Sequence, residues 1–395
     1  MRTIVGAILI VMMIHVDACV QPPKAVAQWD ILSPIPDSVG FAGSFAGVSH
    51  GALIVAGGAN FPDGGAPWTG SVKKWTDKIF VLETPGSEWK TVSSLPDSLG
   101  YGGSVSYNNE LILIGGSNEN GHSTAVIALQ WQGNTVSNRR LADLPKPMAN
   151  FSAVLLHDHI YVAGGISKAD AQHAESNFWR LDLKNPGKGW EILDSWPGAP
   201  RMLTVLGVHD NKVYVLSGVE LVNGQRRYLK DGFSFDATAG WKTIADLPAP
   251  VAAAASPALS TSEGLIVVGG DDGELASKAA ELKDKHPGFS NNMLVYSPVT
   301  NSWSNGGMVS VNAGSATVNA TQVATNASPD SASARQLTTN APADRAASAS
   351  AGRSTATPVT TTAVLWNDLY VLPGGEVRPA VRTNRVLAYQ TLNKK

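Results

Sequence analysis

Six times along this chain an apolar stretch runs into a pair of glycines, once with serine in the first place: Gly57-Gly58, Gly115-Gly116, Gly164-Gly165, Ser217-Gly218, Gly269-Gly270 and Gly374-Gly375. The second members lie 58, 49, 53, 52 and 105 residues apart. A period near fifty means one small unit repeated, each copy hiding its apolar face only against its neighbours. The long last interval has a visible cause. Residues 309–358 hold 29 Ala, Ser and Thr and no aromatic residue, too little apolar surface to offset the entropy of ordering them. Read as a disordered insertion of 50 residues, they leave an interval of 55, back on the period.

Each unit follows the same order. An apolar strand leads to a tight polar turn, such as Ser49-His50-Gly51 or His209-Asp210-Asn211, and a second strand ends at the glycines. A variable loop and a third strand follow. A fourth strand typically begins at a tryptophan (Trp89, Trp190, Trp241, Trp303) and stops at Leu-Pro or Trp-Pro. Four short strands per unit with this glycine and tryptophan punctuation resemble the kelch repeat, which implies an all-β fold, a six-bladed kelch-type β-propeller, over residues 28–390. The sixth unit has no fourth strand after Tyr389, whereas residues 29–36, from Trp29 to Pro36, repeat the Trp-to-Pro strand of the others. The N-terminal strand is therefore expected to complete the last blade and close the ring, leaving no open sheet edge there.

Ahead of the repeats, Arg2 precedes an apolar run over residues 4–14, too short for a convincing span and shaped like a secretory signal over residues 1–18. Val16-Asp17-Ala18-Cys19 resembles a bacterial lipobox, with Asp17 departing from its pattern. That resemblance implies lipidation at Cys19; the alternative is a plain signal. Both export the protein, to the periplasm or to a lipid anchor on the envelope. Cys19 is the only cysteine, which excludes an intramolecular disulfide and any multi-cysteine metal site. A formal charge of −2 gives no electrostatic footprint for nucleic acid or an anionic membrane.

In a four-stranded blade, the loops joining strands two and three open on the face opposite the one–two turns. Here they are long, irregular and chemically rich: residues 59–78, 166–177, 219–231, 271–292 and 376–384. Function concentrates on such loops. The loop after the last glycine pair carries one carboxylate and two guanidiniums, Glu376, Arg378 and Arg382. Glutamate suits proton transfer and arginine suits a carboxylate, which its planar fork grips with two parallel hydrogen bonds. The plainer alternative is a solvated ion pair worth little. The same face is expected to hold Asn60, Phe61, Trp68, Lys73, Lys74 and Trp75 from the first blade, Arg201 from an inter-blade connection, and Lys285, His286 and Phe289 from the fifth. Asp271-Asp272-Gly273-Glu274 looks like a calcium loop but lacks the spacing of one. No metal site is expected.

The run from Gly374 through Glu376, Arg378-Pro379 and Arg382-Thr383, taken with Phe45-Ala46-Gly47-Val48-Ser49 and Ala56-Gly57-Gly58-Ala59-Asn60-Phe61, resembles the N-acetylneuraminate (sialic acid) mutarotases, or epimerases. Pro200-Arg201 and the stretch from Phe289-Ser290-Asn291 to Trp303 match as well. The C-terminal and N-terminal placement of the two main segments resembles the cyclically permuted branch of that family; a closed ring can be cut between any two strands. The resemblance implies interconversion of the α and β anomers of free sialic acid, with Glu376 and Arg382 as catalytic residues and no cofactor; Arg201, Asn60, Arg378 and Lys73 are expected around the substrate mainly from their location on that face. A non-catalytic carbohydrate-binding or adaptor propeller is the alternative.

Overall fold

The computed structural model describes residues 28–311 and 356–390. Six antiparallel sheets are arranged as the blades of a propeller. The first comprises Phe45–Ser49, Ala52–Ala56, Lys78–Leu82 and Lys90–Ser94. The next four begin at Gly103, Ser152, Val205 and Leu259 and have four strands each in the same sequential order. The sixth takes Val364–Trp366, Leu369–Pro373 and Val386–Gln390 from the C-terminal part and Gln28–Leu32 from the N-terminal part. Trp29 faces Tyr389 and Leu32 faces Val386 in its antiparallel register, so the ring closes as the sequence predicts. Apolar clusters fill the spaces between successive blades. Among the described residues no helix is long and apolar enough to cross a membrane.

Both edges of the proposed insertion are built into the ring. Ser310–Val311 adds a short parallel strand beside Gln28 and Trp29. Val309, Ala356 and Thr357 are buried, and Asn291 Oδ1 accepts from the Thr357 backbone N–H and hydroxyl. The rest of that stretch, residues 312–355, and the N-terminal segment that includes Cys19 lie outside the described residues.

The glycine pairs now have a physical cause. Gly374 and Gly375 have φ of +72° and +112°, and a Cβ on Gly375 would meet the Val359 carbonyl oxygen at 2.7 Å. Only glycine lets the second strand turn there without pushing the neighbouring inner segment away.

That inner segment forms a feature of its own. Gly43, Tyr101, Asn150, Leu203, Ala253 and Thr360, one per blade, all have left-handed φ between +50° and +68°. The backbone N–H of each donates to the carbonyl of the one before it, and Gly43 closes the circle by donating to Thr360, all at 2.7–2.8 Å. Five of the six are not glycine, a strained choice for L-residues. A closed belt of backbone hydrogen bonds around the axis offsets that strain and satisfies groups that no blade ladder reaches. The residue before each belt position bridges to the residue after each glycine pair: Ala42 to Ala59, Gly100 to Ser117, Ala149 to Ile166, Met202 to Val219, Ala252 to Asp271 and Val359 to Glu376. These bridges define equivalent positions in all six blades.

Blade four departs from expectation. Residues 219–231 do not form an irregular loop. Strands two and three continue as a long hairpin, Lys212–Val222 against Gln225–Asp236. Its two-residue turn is Asn223-Gly224, both left-handed, the pair that best matches the twist of a hairpin. The arm leans on blade three, where the Gly224 N–H donates to the Gln172 carbonyl.

Candidate active site in the central channel

The belt separates two spaces. On the turn side lies a small one lined by Ser44, Ser104, Ser152, Thr204 and Phe151 among others, with no carboxylate or basic side chain. On the glycine-pair side lies a cavity of about 410 Å³, a size suited to a small molecule. Glu376, Tyr101, Asn150, Tyr228, Arg226, Asp271 and Phe289 line it, with Ile166, Met202, Leu203 and Leu221 as apolar wall.

Glu376 and Arg382 face each other across a two-stranded hairpin, Glu376–Arg378 against Val381–Arg382, with Glu376 directly opposite Arg382. Ala380, at its turn, has φ +65° and donates its N–H to Glu376 Oε1 at 2.7 Å. The other oxygen, Oε2, lies 3.2 Å from Arg382 Nη1. This is a charge pair without good angles: neither Nη1 nor Nε of Arg382 has a hydrogen-bond partner among the described residues, although both are buried. The guanidinium is fixed instead by its faces and edge. Phe61 lies 5.1 Å from it, and Nη2 donates to the Tyr101 hydroxyl at 3.4 Å. A buried cation with two unused donors costs stability alone and gains from an anion.

Lys73 completes this pole. Its Nζ lies 4.3 Å from the Trp75 ring and 5.0 Å from the Tyr101 ring. Burial, and then the charge of Arg382, hold its ammonium below the usual lysine range. Burial likewise pushes the Tyr101 hydroxyl up, so it stays protonated. Asn60 is buried beside this group, pairs with Lys74 in a short ladder, and donates to Asp37 Oδ1 at 3.3 Å.

Two expected residues are not brought to this pole. Arg378 turns away and donates to the carbonyl and to Oδ1 of Asp284. It clamps the hairpin to the fifth-blade loop, as does the Phe289 N–H donating to the Val377 carbonyl. Arg201 is fully buried. Nη1 and Nη2 each donate to Asp231 at 2.9 Å, and further bonds go to the Ser217 and Ala199 carbonyls. Its guanidinium sits between Trp196 and Phe233. The reason is positional. The carbonyl of Arg201 accepts from Gly165, as those of Leu99, Met148 and Phe41 accept from Gly58, Gly116 and Gly375. The equivalent side chains are buried and apolar, so Arg201 occupies a core position and its donors are used. Expected around the substrate, Arg201 is placed instead in the seam between blades and away from the cavity lining. Tyr101 is the residue that sequence reasoning missed. A tyrosine at a left-handed position carries no signal of its own; only its place one residue after Gly100 in the repeat marks it.

A family model described as N-acetylneuraminate epimerase matches residues 19–137 and 141–278. The chain belongs to the N-acetylneuraminate epimerase family. The matched residues include Phe61, Lys73, Tyr101 and Asp271 and end before the Glu376 hairpin. Among curated relatives of that name, the one from Haemophilus influenzae (strain PittEE) is 35% identical over 124 residues, covering 28% of this chain and 32% of the relative. The one from Salmonella enteritidis PT4 is 43% identical over 90 residues, 21% of this chain and 23% of the relative. The one from Yersinia pestis (strain Pestoides F) is 36% identical over 126 residues, 27% and 31%. The chain thus spans about a third or less of the length of the curated relatives it matches. The solved structure of YjhT superposes with a TM-score of 0.60 over 90% of this chain and 96% of that one, at 13% identity, a likeness of fold.

Proposed function

We propose that the protein is an N-acetylneuraminate mutarotase, an isomerase that interconverts the α and β anomers of free sialic acid without a cofactor. The observation that carries this reading is the pairing of Glu376, a carboxylate that lines the channel cavity, with a buried arginine behind it, Arg382, that has two donors without a partner among the described residues. A sugar acid that carries its carboxylate next to the anomeric carbon presents an anion and a transferable proton side by side. Arg382 receives the carboxylate, with Phe61 and Tyr101 fixing the guanidinium plane. Glu376 takes the proton from the anomeric hydroxyl and passes it, directly or through a water, to the ring oxygen, so the bond from the anomeric carbon to the ring oxygen breaks and the ketone forms. The carbonyl rotates, and the same transfers in reverse close the ring on its other face. No net proton is consumed. Lys73 adds a second basic side chain that favours an anion at this pole. The apolar run ahead of Cys19 supports export, with the lipobox-like residues 16–19 as the anchor signal.

Proton NMR of a freshly dissolved single anomer tests the reading, because spontaneous mutarotation supplies the reference rate. Wild-type protein should accelerate the exchange, and Glu376→Gln should reduce the acceleration by about 10²–10⁴-fold, the usual worth of a positioned acid/base group. Equal rates for Glu376→Gln and wild type would remove Glu376 from the chemistry. Sugar binding with no acceleration by wild type would make the protein a carbohydrate-binding propeller instead.

A further inference from the structure

The position after the glycine pair is Ala59, Ser117, Ile166 and Val219 in four blades, and a carboxylate in the other two: Asp271 in blade five and Glu376 in blade six. Both carboxylates line the 410 Å³ cavity. Their surroundings differ. Glu376 sits with Arg382 and Lys73, whereas the hydrogen bonds to Asp271 itself come from neutral donors, with the Arg226 guanidinium beside the Tyr228 hydroxyl on the same wall. The Tyr228 hydroxyl donates to Asp271 Oδ2 at 2.8 Å, and the Gly273 N–H donates to Oδ1 at 3.0 Å. Gly273 packs beneath the tyrosine so closely that a Cβ there would lie 2.4 Å from the Tyr228 ring. This gives Asp271-Asp272-Gly273 a structural role: its turn holds the Tyr228 side chain. Tyr228 itself arrives on the extended arm of blade four, which exists only because strands two and three continue past the glycine pair.

Resting on the mutarotase reading for the Glu376 pole, we propose that Tyr228 and Asp271 form a second subsite in the same cavity, which binds the hydroxyl groups of the substrate's exocyclic polyol chain. A carboxylate already engaged by a tyrosine and a backbone N–H accepts further hydrogen bonds from alcohols and repels a second carboxylate. Arg382 does the opposite. The two poles therefore orient a molecule that is anionic at one end and polyhydroxylated at the other, with Ile166, Met202, Leu203 and Leu221 as the apolar wall of the same cavity. Burial, and the charge of Asp271, push the Tyr228 hydroxyl up to about 12, so it remains a donor throughout the neutral range.

The test compares intact N-acetylneuraminate with its analogue whose side chain is shortened by periodate oxidation and borohydride reduction of the methyl glycoside, which protects the anomeric carbon, followed by acid release of the free sugar. Affinities are measured by calorimetry for wild type, Tyr228→Phe and Asp271→Asn, and exchange rates by NMR for wild type. The expected result is that wild type prefers the intact sugar and that the preference falls about tenfold in each variant, the worth of a hydrogen bond to a charged group. The proposal is overturned if wild type shows no preference, if both variants keep it, or if both sugars weaken equally. Native near-ultraviolet circular dichroism for either variant excludes unfolding as the cause. If wild type binds without accelerating exchange, the mutarotase reading fails while the affinity ratio still decides the subsite. If wild type binds neither sugar, both fail.

Discussion

Arg201 offers the most demanding check on the structure, because two interpretations of it predict opposite results. Its guanidinium has no exposed surface, while the Asp231 side chain retains 30% exposure. The pair is therefore asymmetric. Asp231→Ala leaves a full charge buried with only the Ala199 and Ser217 carbonyls to solvate it, and should cost about 3–5 kcal/mol, the usual penalty for orphaning one member of a buried pair. Arg201→Met leaves a carboxylate that water can reach and puts a side chain of similar volume where the equivalent residues are Phe41, Leu99, Met148 and Val251. Its cost should be about 1–2 kcal/mol. The double variant should lie near wild type, since replacing both ions by apolar groups is often neutral. The two single changes would then be strongly non-additive, as expected for residues in contact. Urea denaturation followed by tryptophan fluorescence measures all four proteins. Anomer exchange by Arg201→Met should stay within about twofold of wild type, as for any residue that contributes no differential binding to the transition state. A fully stable Arg201→Met that has lost activity would refute the argument and return Arg201 to the substrate. So would a cost below about 1 kcal/mol for Asp231→Ala, a value typical of exposed pairs.

Two further outcomes follow from the same kind of reasoning. Burial, and the charge of Arg378, hold the His286 imidazole below its usual value of 6.5 against the opposing pull of Asp271 and Asp272; the unfolded chain therefore binds the proton first, and stability should fall as pH drops below about 6.5 and level off below the folded-state pKa. Denaturation midpoints across pH 4–8 should show this slope reduced in His286→Gln, and an identical slope would exclude His286 as its source. Trp29→Ala should cost about 3–5 kcal/mol, the range for a fully buried aromatic, because Trp29 is buried against Tyr389 and Tyr370 across the closing seam; a urea midpoint unchanged from wild type would mean that the ring does not depend on this strand.

The propeller was legible because its information is repetitive. Glycine pairs, tryptophans and proline stops recur at one period, and an error in any single unit is corrected by the other five. The Glu376–Arg382 pairing was legible for a local reason: two charges six residues apart across a proline suit one short turn. What escaped was set by side-chain direction. Arg201 lies in a connection on the expected face, but a connection residue can point into the seam between blades as readily as into the channel. The belt was invisible since Tyr101, Leu203, Ala253 and Thr360 have no preference for left-handed backbone; closure of the ring imposes it. The arm of blade four was readable in principle. Asn223-Gly224 between Val219, Leu221 and Tyr228, Leu229 is a hairpin signal, outweighed by the expectation that every two–three connection would be irregular.

The belt and the closing seam together explain why the charged hairpin belongs to the sixth blade. A hairpin holding a buried, incompletely paired arginine needs rigid support from more than its own blade. Glu376 donates its backbone N–H to Val359, next to the belt residue Thr360, and Thr383 donates to Gly375. Besides those contacts and the clamp of Arg378 and Val377 to the fifth-blade loop, support comes from the N-terminal part of the chain. The Ile35 N–H donates to the Asn384 carbonyl, and the Asn384 side chain donates to the Asp37 carbonyl. Asp37 also accepts from Asn60 and from the backbone of Val39 and Gly40. Residues 35–40 thus tie the base of the hairpin to the first blade directly after the N-terminal strand has completed the sixth. The segment that closes the ring and the segment that holds the hairpin are continuous, so the seam is a brace for the site. Where the circle is cut, inside the sixth blade, the N-terminal strand and the C-terminal strand are held to each other by a full pairing from Trp29 to Leu32.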